Sequence, residues 1–207
     1  MKLELNQPCV KPFDPAVDLR VLTACENATA AGQACALLED LGRDCAAQGR
    51  LLLQWWNFEV LAITALRELA SQEAAAADVV IITGLTARRL PPNVAGWIRR
   101  WIELRKGRPG ALVALLNSNL KTPFAAGGIH SQLKALAAFG HLDFFANISH
   151  GEKHARLDET TKRLITTWIT RRANEMAGST AQPAPPIKLL YEVNAGPTKR
   201  VCKQARA

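Results

Sequence analysis

The run Ala77–Arg105, ADVVIITGLTARRLPPNVAGWIRRWIELR, decides the fold of this 207-residue chain. It begins with an uninterrupted apolar segment, Val79–Ile82, in which every residue is β-branched. Such a segment is too short for a helix and is typical of a strand buried on both faces of a parallel sheet. A polar loop follows, and after Pro91 and Pro92 the apolar residues recur with a helical period. We therefore predict a strand, a loop and an amphipathic helix, which is half of a βαβ unit.

The rest of the chain repeats this unit. Apolar runs predict further strands at Leu19–Cys25, Arg50–Gln54, Ala111–Leu116 and Leu142–Ile148. Helical periods predict helices after Asn27 or Thr29, over about 58–76, after Pro92, over 129–139 and over about 155–176. Five strands alternating with five helices indicate a doubly wound parallel sheet with helices on both faces. We expect the strand order 2-1-3-4-5, with a Rossmann-type order as the alternative.

Composition divides the chain into three segments. Residues 1–18 contain three prolines and no sustained period, so we expect an irregular lead-in. Residues 19–177 carry the predicted single α/β domain. Residues 178–207 begin with GSTAQPAPP and continue with a basic run, which is typical of a linker and a disordered tail.

The charge and cysteine content limit the class of protein. The net charge of +8 permits contact with nucleic acid, an anionic surface or an acidic ligand. The five cysteines have no CxxC spacing, which indicates buried thiols in a reducing compartment. Only Cys25, at the edge of a loop, is placed where a thiol could take part in redox chemistry. No signal sequence is present, and no apolar run approaches the ~20 residues of a bilayer span. We expect a cytoplasmic protein without membrane insertion.

The ligand site of a doubly wound sheet lies at the carboxyl ends of its strands, near the point where the strand order reverses. Four polar loops reach that edge, at 23–29, 83–89, 117–128 and 147–154. The candidate residues for a ligand or a small anion are Asn27, Thr29, Thr83, Thr86, Arg88, Arg89, Asn117 and Asn119. Amides at a helix N-terminus near Asn27 and the guanidinium groups of Arg88 and Arg89 suit an anion.

Motifs for other chemistry are absent from the sequence. There is no Walker A motif, no GxGxxG and no GxSxG elbow. His150 and His154 are four residues apart, but Gly151 between them disfavours the helix that would align them, and no third ligand has suitable spacing. We therefore expect no metal site and no hydrolase.

The second half of the chain resembles flavodoxin-like proteins, including flavin-dependent quinone reductases. The resemblance rests on ADVVIIT, the tryptophan helix, ALVALLNSN and HLDFF. It implies a flavodoxin-like fold and an FMN phosphate held in a Ser/Thr-x-Thr-Gly-x-Thr loop after the first strand. The corresponding residues here read ACENAT, in which only Thr29 matches the motif. The glycine is missing, and Glu26 would place a negative charge beside the phosphate.

The same arrangement is similar to that of response-regulator receivers. Such domains need an acidic pair after the first strand and a phosphoacceptor aspartate at the end of the third. Glu26 supplies one acid, but the third strand ends Ile82-Thr83-Gly84 without an aspartate. This pattern excludes a working phosphoacceptor and leaves a receiver-like module that binds a partner.

Three functional hypotheses follow. The first is a non-catalytic regulatory module with a flavodoxin- or receiver-like fold, which binds a protein partner and needs no cofactor; the lack of an intact catalytic motif favours it. The alternative is a flavin- or nucleotide-binding oxidoreductase with an atypical phosphate loop, for which FMN is the expected cofactor. The third is contact with nucleic acid through the arginine-rich third helix and the basic tail.

Overall fold

The computed structural model describes residues 17–45, 49–84, 89–118, 124–150 and 158–179, which form a three-layer α/β domain. The strands are β1 (Val17–Cys25), β2 (Gly49–Asn57), β3 (Val79–Thr83), β4 (Ala111–Ser118) and β5 (Asp143–His150). All neighbouring strands pair in parallel, in the order 2-1-3-4-5. The predicted fold class and strand order are confirmed. The predicted lead-in before residue 17 and the predicted tail after residue 179 lie outside the described residues.

Helices cover both faces of the sheet. They are α1 (Ala28–Cys45), α2 (Thr64–Ala76), α3 (Pro92–Arg105), α4 (Phe124–Phe139) and α5 (Glu159–Ser179), with a 3₁₀ turn at Val60–Ala62 before α2. Helices α2, α3 and α4 pack on one face, and α1 and α5 pack on the other. Among the described helices, none is both long enough and apolar enough to cross a bilayer.

Strand β3 lies at the centre of the sheet and is buried on both faces. Each of its five residues has at most 1% of its surface exposed. Val80 and Ile82 enter the core beneath α2, α3 and α4, whereas Val79 and Ile81 enter the core beneath α1 and α5. Burial of each aliphatic side chain stabilises the fold by about 1.5–3 kcal/mol.

Helix α3 presents its predicted apolar face to the sheet. Val94, Trp97, Ile98, Trp101 and Ile102 are all buried. The rings of Trp97 and Trp101 have centroids 6.3 Å apart at an interplanar angle of 55°. Their indole N–H groups have no hydrogen-bond partner among the described residues, so the two rings contribute through packing alone.

Several predicted boundaries are wrong. Strand β2 continues through Trp55 and Trp56 to Asn57, because these residues pair with Thr23, Ala24 and Cys25 of β1. Helix α2 begins at Thr64 rather than near residue 58, because the preceding Ile63 is extended, with ψ at 116°. Helix α4 begins at Phe124 instead of residue 129.

Two leucines are exposed although the helical period of the sequence predicts that they lie on the apolar faces of α2 and α5. Leu69 of α2 has 42% of its surface exposed and Leu164 of α5 has 53%, because the inward faces of these helices consist of other residues. In α2 these are mainly the small residues Ala70, Ser71 and Ala74. Small side chains allow the helix to approach the sheet closely, which leaves the leucines on the outer side.

One member of the arginine cluster at the end of α3, Arg105, belongs to the interior, whereas Lys106 and Arg108 are exposed. Arg105 has only 3% of its surface exposed. Its guanidinium donates to the carbonyl oxygens of Ala77 and Pro109, and its Nε donates to the carbonyl of Arg108 at 2.8 Å. Arg108 in turn donates to the carbonyl of Ala75 in the last turn of α2. The two side chains thus satisfy carbonyl groups at the amino-terminal edge of the sheet.

Burial, followed by the nearby charge of Arg108, lowers the pKa of Arg105 to about 10. The guanidinium therefore keeps its charge at neutral pH and acts there as a strong donor. Gly110 leaves the space that this guanidinium occupies, because a Cβ at that position would overlap its Nη2 atom.

Replacement of Arg105 by Met is expected to lower the free energy of unfolding by roughly 2–5 kcal/mol, because several buried carbonyl groups lose their donor. The measurement is urea denaturation followed by circular dichroism. Arg99→Met, at an exposed position of the same helix, is the matched control and should change the stability by less than about 0.5 kcal/mol. Equal stability of the two variants would contradict the assigned role.

Candidate functional site

The first part of the candidate site is the connection between β1 and α1. Helix α1 begins at Ala28, so only Glu26 and Asn27 separate it from the end of β1. The Asn27 side-chain oxygen accepts the backbone N–H of Ala30 at 2.9 Å, and the Asn27 carbonyl accepts the N–H of Ala31 at 3.0 Å. Asn27 is therefore the N-cap of α1, in agreement with one of the two predicted caps.

The second part is the end of β3, which lies directly against this connection. The N–H of Glu26 donates to the carbonyl of Thr83 at 3.1 Å. The hydroxyl of Thr83 donates to the carbonyl of Ala30 at 3.2 Å. These two bonds join β3 to the first turn of α1 at the point where the strand order reverses.

Gly84 makes this close approach possible. Its φ is +104°, and a Cβ at this position would lie 2.6 Å from the Cβ of Ala30 and 2.9 Å from the Cβ of Glu26. Its N–H donates to the carbonyl of Leu115 in β4 at 3.1 Å. Gly84 thus links the ends of β1, β3 and β4, which is where a doubly wound sheet holds a ligand.

Glu26 places an acid at this junction. The residue is half-buried, and its Oε2 atom is 3.4 Å from the position that a Cβ on Gly84 would take. The carboxylate therefore extends over the end of β3 rather than away into solvent. It gives the junction a negative charge beside the first amides of α1.

The predicted candidate residues occupy different environments. Asn27, Thr29 and Arg89 are exposed, whereas Thr83 is fully buried and uses its hydroxyl within the fold. Asn117 lies in β4, where its backbone is in register with Ser149 of β5. Thr86, Arg88 and Asn119 lie outside the described residues. The structure thus brings Asn27, Thr29 and Thr83 to the same junction.

Gly84 is not among the predicted site residues. A glycine directly after a buried strand was the available signal, since such a position often needs a positive φ or a close backbone approach. The partners that demand it, Ala30 and Glu26, are more than fifty positions away in sequence. Their proximity becomes visible only once β1 and β3 are placed side by side.

Cys25 ends β1 beneath this junction and does not have the character of a redox thiol. Its Sγ donates to the carbonyl of Trp56 at 3.4 Å, and the residue is buried. Burial, followed by the neighbouring Cys35, raises the pKa of Cys25 to about 11. The thiol is therefore protonated at neutral pH, which favours a packing role.

Comparison with known proteins identifies the fold. No model of a known protein family matches the sequence, and a search of curated proteins finds no relative. Rubredoxin oxygen:oxidoreductase from Desulfovibrio gigas has a similar structure, with 15% identity and a TM-score of 0.47. The match covers 82% of this chain and 38% of that protein, so the chain spans well under half of its length.

Two further structures match over nearly their whole length. A flavodoxin, the WrbA-like protein from Agrobacterium tumefaciens, has 11% identity and a TM-score of 0.46, with 78% of this chain and 99% of that chain covered. An FMN-dependent NADH-azoreductase from Bacillus anthracis, solved in complex with FMN, has 11% identity and a TM-score of 0.41. That match covers 78% of this chain and all of the other. The chain has a flavodoxin-like fold.

The first functional hypothesis, a non-catalytic regulatory or partner-binding module, is wrong. The solved structures that resemble this chain are instead described as an oxidoreductase, a flavodoxin and an FMN-dependent azoreductase. At these identities the likeness establishes the fold alone. The assignment of a ligand to this chain therefore depends on the geometry of its own residues.

The residues at the junction do not fit an FMN phosphate at the N-terminus of α1. The side chain of Asn27 already accepts the N–H of Ala30, which is one of the amides that a phosphate oxygen would use. The carboxylate of Glu26 would repel the phosphate at close range. The capped helix end and the carboxylate together disfavour a phosphate at this junction.

Gly84→Ala is expected to destabilise the fold by about 1–3 kcal/mol or more, because the new Cβ collides with Ala30 and φ is positive. Thermal denaturation provides the measurement. Gly96→Ala is the control, since a Cβ at Gly96 of α3 meets nothing within 4 Å. That variant should gain up to about 1 kcal/mol through helix propensity. A loss at Gly96 equal to that at Gly84 would refute the packing argument.

The raised pKa of Cys25 predicts a pH-dependent contribution to stability. Between the ordinary pKa of 9.0 and about 11, the unfolded chain loses the thiol proton while the native chain keeps it. The stabilisation that comes from burying the neutral thiol is therefore complete below the ordinary pKa of 9.0 and is lost as the pH rises towards about 11. The difference in unfolding free energy between the parent and Cys25→Ala, measured in urea, should shrink with rising pH. A difference that is independent of pH would contradict the burial of this thiol.

Proposed function

We propose that this chain is a flavin- or nucleotide-binding oxidoreductase whose ligand lies across the carboxyl ends of β1, β3 and β4. The observation that carries the proposal is the junction of Glu26, Ala30 and Gly84 at the reversal of strand order. This is the position at which doubly wound sheets bind their ligands. FMN, which the Bacillus anthracis azoreductase binds, is the ligand class to which the fold points.

Glu26 determines which part of the ligand faces the junction. A carboxylate accepts hydrogen bonds from sugar hydroxyls, and an acidic residue serves ribose in this way in dinucleotide-binding sheets. We therefore place the ribityl or ribose hydroxyls, rather than a phosphate, beside Glu26. The short connection capped by Asn27 supports this orientation, since it lacks the glycine-containing loop that would surround a phosphate.

Any phosphate on the ligand has a separate contact in this proposal. Arg89 is exposed just before α3, and Arg88 precedes it in sequence. Guanidinium groups bind phosphate through paired hydrogen bonds. When bound, a flavin would supply the electron-transfer chemistry, and the residues named here would bind and orient it.

The test compares riboflavin with FMN, because the two ligands share one ring system and differ by the phosphate. The visible spectrum of the purified protein should show a flavin band at roughly 450 nm if a flavin is retained. In calorimetric titrations, wild type should bind riboflavin, and Glu26→Gln should weaken that binding by about threefold to tenfold, since the ribityl hydroxyls lose a charged acceptor. FMN binding should weaken less, because the variant also removes a repulsion of the phosphate, so the ratio of the two affinities shifts towards FMN. Arg89→Ala should weaken FMN binding and leave riboflavin binding unchanged.

Glu39→Gln is the matched control, because Glu39 is an exposed acid in the middle of α1. It should leave the ratio of the two affinities unchanged. A wild-type protein that binds neither riboflavin nor FMN, nor a nucleoside such as adenosine, would overturn the proposal. An equal response of the Glu26 and Glu39 variants would show that the acid at the junction does not contact the ligand.

Contact with nucleic acid stays a prediction from composition. In α3, Arg105 is buried and Arg100 binds Glu68 of α2 at 2.7 Å, so the positive charge offered by this face is smaller than the sequence suggests. The predicted basic tail lies outside the described residues. The cytoplasmic location likewise stays a prediction.

A further inference from the structure

Strand β2 forms one edge of the sheet, and its composition is unusual for an edge. In the described part of the chain it pairs with β1 alone, over nine residues. An extended strand of this length presents an edge of about 30 Å. Between Leu51 and Asn57 the sequence LLLQWWN contains no charged residue and no proline.

Natural sheets protect their edges with charges, prolines or covering elements, because the free backbone groups of an edge pair readily with another strand. The opposite edge strand, β5, begins with a charged residue. Its Asp143 accepts the indole N–H of Trp168 at 2.5 Å and lies 3.5 Å from the guanidinium of Arg171. Strand β2 likewise carries one charge near its start, Arg50, and then offers half-exposed apolar side chains on both faces. Leu52 lies on the face of α2, whereas Leu51, Leu53 and Trp55 lie on the face of α1 and α5.

Helix α2 extends this apolar edge. Ile63, Leu66 and Leu69 have 55%, 36% and 42% of their surface exposed. Leu66 and Leu69 share a side of the helix with Glu73, whose carboxylate accepts the indole N–H of Trp56 of β2 at 2.7 Å. Glu68, on the other side, binds Arg100 of α3 instead. The exposed leucines therefore lie on the side of α2 that faces the β2 edge.

We propose that the β2 edge and this side of α2 form the interface of a homodimer. The occupant is a second copy of the chain, whose β2 pairs antiparallel with the first around a twofold axis and continues the sheet. Such pairing places the same uncharged segment on both sides of the axis, so the interface is self-complementary. The absence of charge matters here because each copy carries a net charge of +8, and contact through basic surfaces would be repulsive.

The available area suits this occupant. The strand edge is about 30 Å long, and a 13-residue helix beside it adds a layer about 20 Å long and ~10 Å across. With a similar width of about 10 Å for the strand edge, the two offer roughly 500 Å² on each copy, or about 1,000 Å² in total, which is near the minimum for a specific interface. Backbone hydrogen bonds between the β2 strands of the two copies would also fix the relative orientation of the copies.

The test is sedimentation velocity on the full chain over a wide range of concentration. Wild type should sediment as a dimer, with twice the monomer mass of 22.5 kDa, and dissociate on dilution. Leu66→Lys/Leu69→Lys should raise the dissociation constant by about tenfold or more, since like charges meet across the axis. Both positions are exposed, so circular dichroism and the melting temperature should show a folded variant.

Leu164→Lys is the matched control, because Leu164 is 53% exposed on α5, on the opposite face of the sheet. It should dimerise like the parent. Leu52→Lys, within β2 on the face of α2, tests the strand pairing separately and should also favour the monomer. A wild-type protein that is monomeric at every concentration would overturn the proposal. A dimer that persists in both lysine variants of β2 and α2 would place the interface elsewhere and overturn it too.

Discussion

The burial of β3 on both faces is the constraint on which the rest of the structure depends. A strand that is hidden from solvent on both sides requires a helix layer above and below the sheet. It also requires that the polar groups at its two ends find partners within the protein. At one end, the hydroxyl of Thr83 donates to the carbonyl of Ala30, which fixes the first turn of α1 against β3. At the other end, Asp78 accepts the N–H of Arg20, and the carbonyl of Ala77 accepts a bond from Arg105.

The elements with strong periodicity could be predicted from the sequence. The apolar run of β3 and the tryptophan face of α3 both follow from patterns within a few residues. The alternation of strands and helices predicts a doubly wound parallel sheet but leaves two strand orders open, between which the structure decides. The limits appear where a residue's role depends on a distant partner. Arg105 looks like a surface cation in sequence, but it is buried because the carbonyls of Ala77 and Pro109 need a donor. Leu69 looks like a core residue, but alanines take the inward positions of α2.

The candidate site likewise combines features that could be predicted from the sequence with one that could not. The cap by Asn27 and the acid at Glu26 are local features and could be read from the sequence, and Glu26 already opposed a phosphate at this position. The contact of Gly84 with Ala30 and Glu26 could not be predicted from the sequence, because it joins segments that are distant along the chain. As a result, a carboxylate lies beside the capped N-terminus of α1 at the end of β3.

Gly110 and Arg105 form a matched pair with a consequence for sequence evolution. Because a Cβ at position 110 would overlap the guanidinium, a larger residue can enter there only if Arg105 is shortened or lost. Conversely, loss of Arg105 removes the restraint on Gly110 but leaves the carbonyls of Ala77 and Pro109 without their donor. The two positions should therefore covary among homologous chains: glycine with arginine, or a larger side chain with a smaller neighbour. In an alignment of homologous chains, this covariation would mark related sequences even where their overall sequence identity is low.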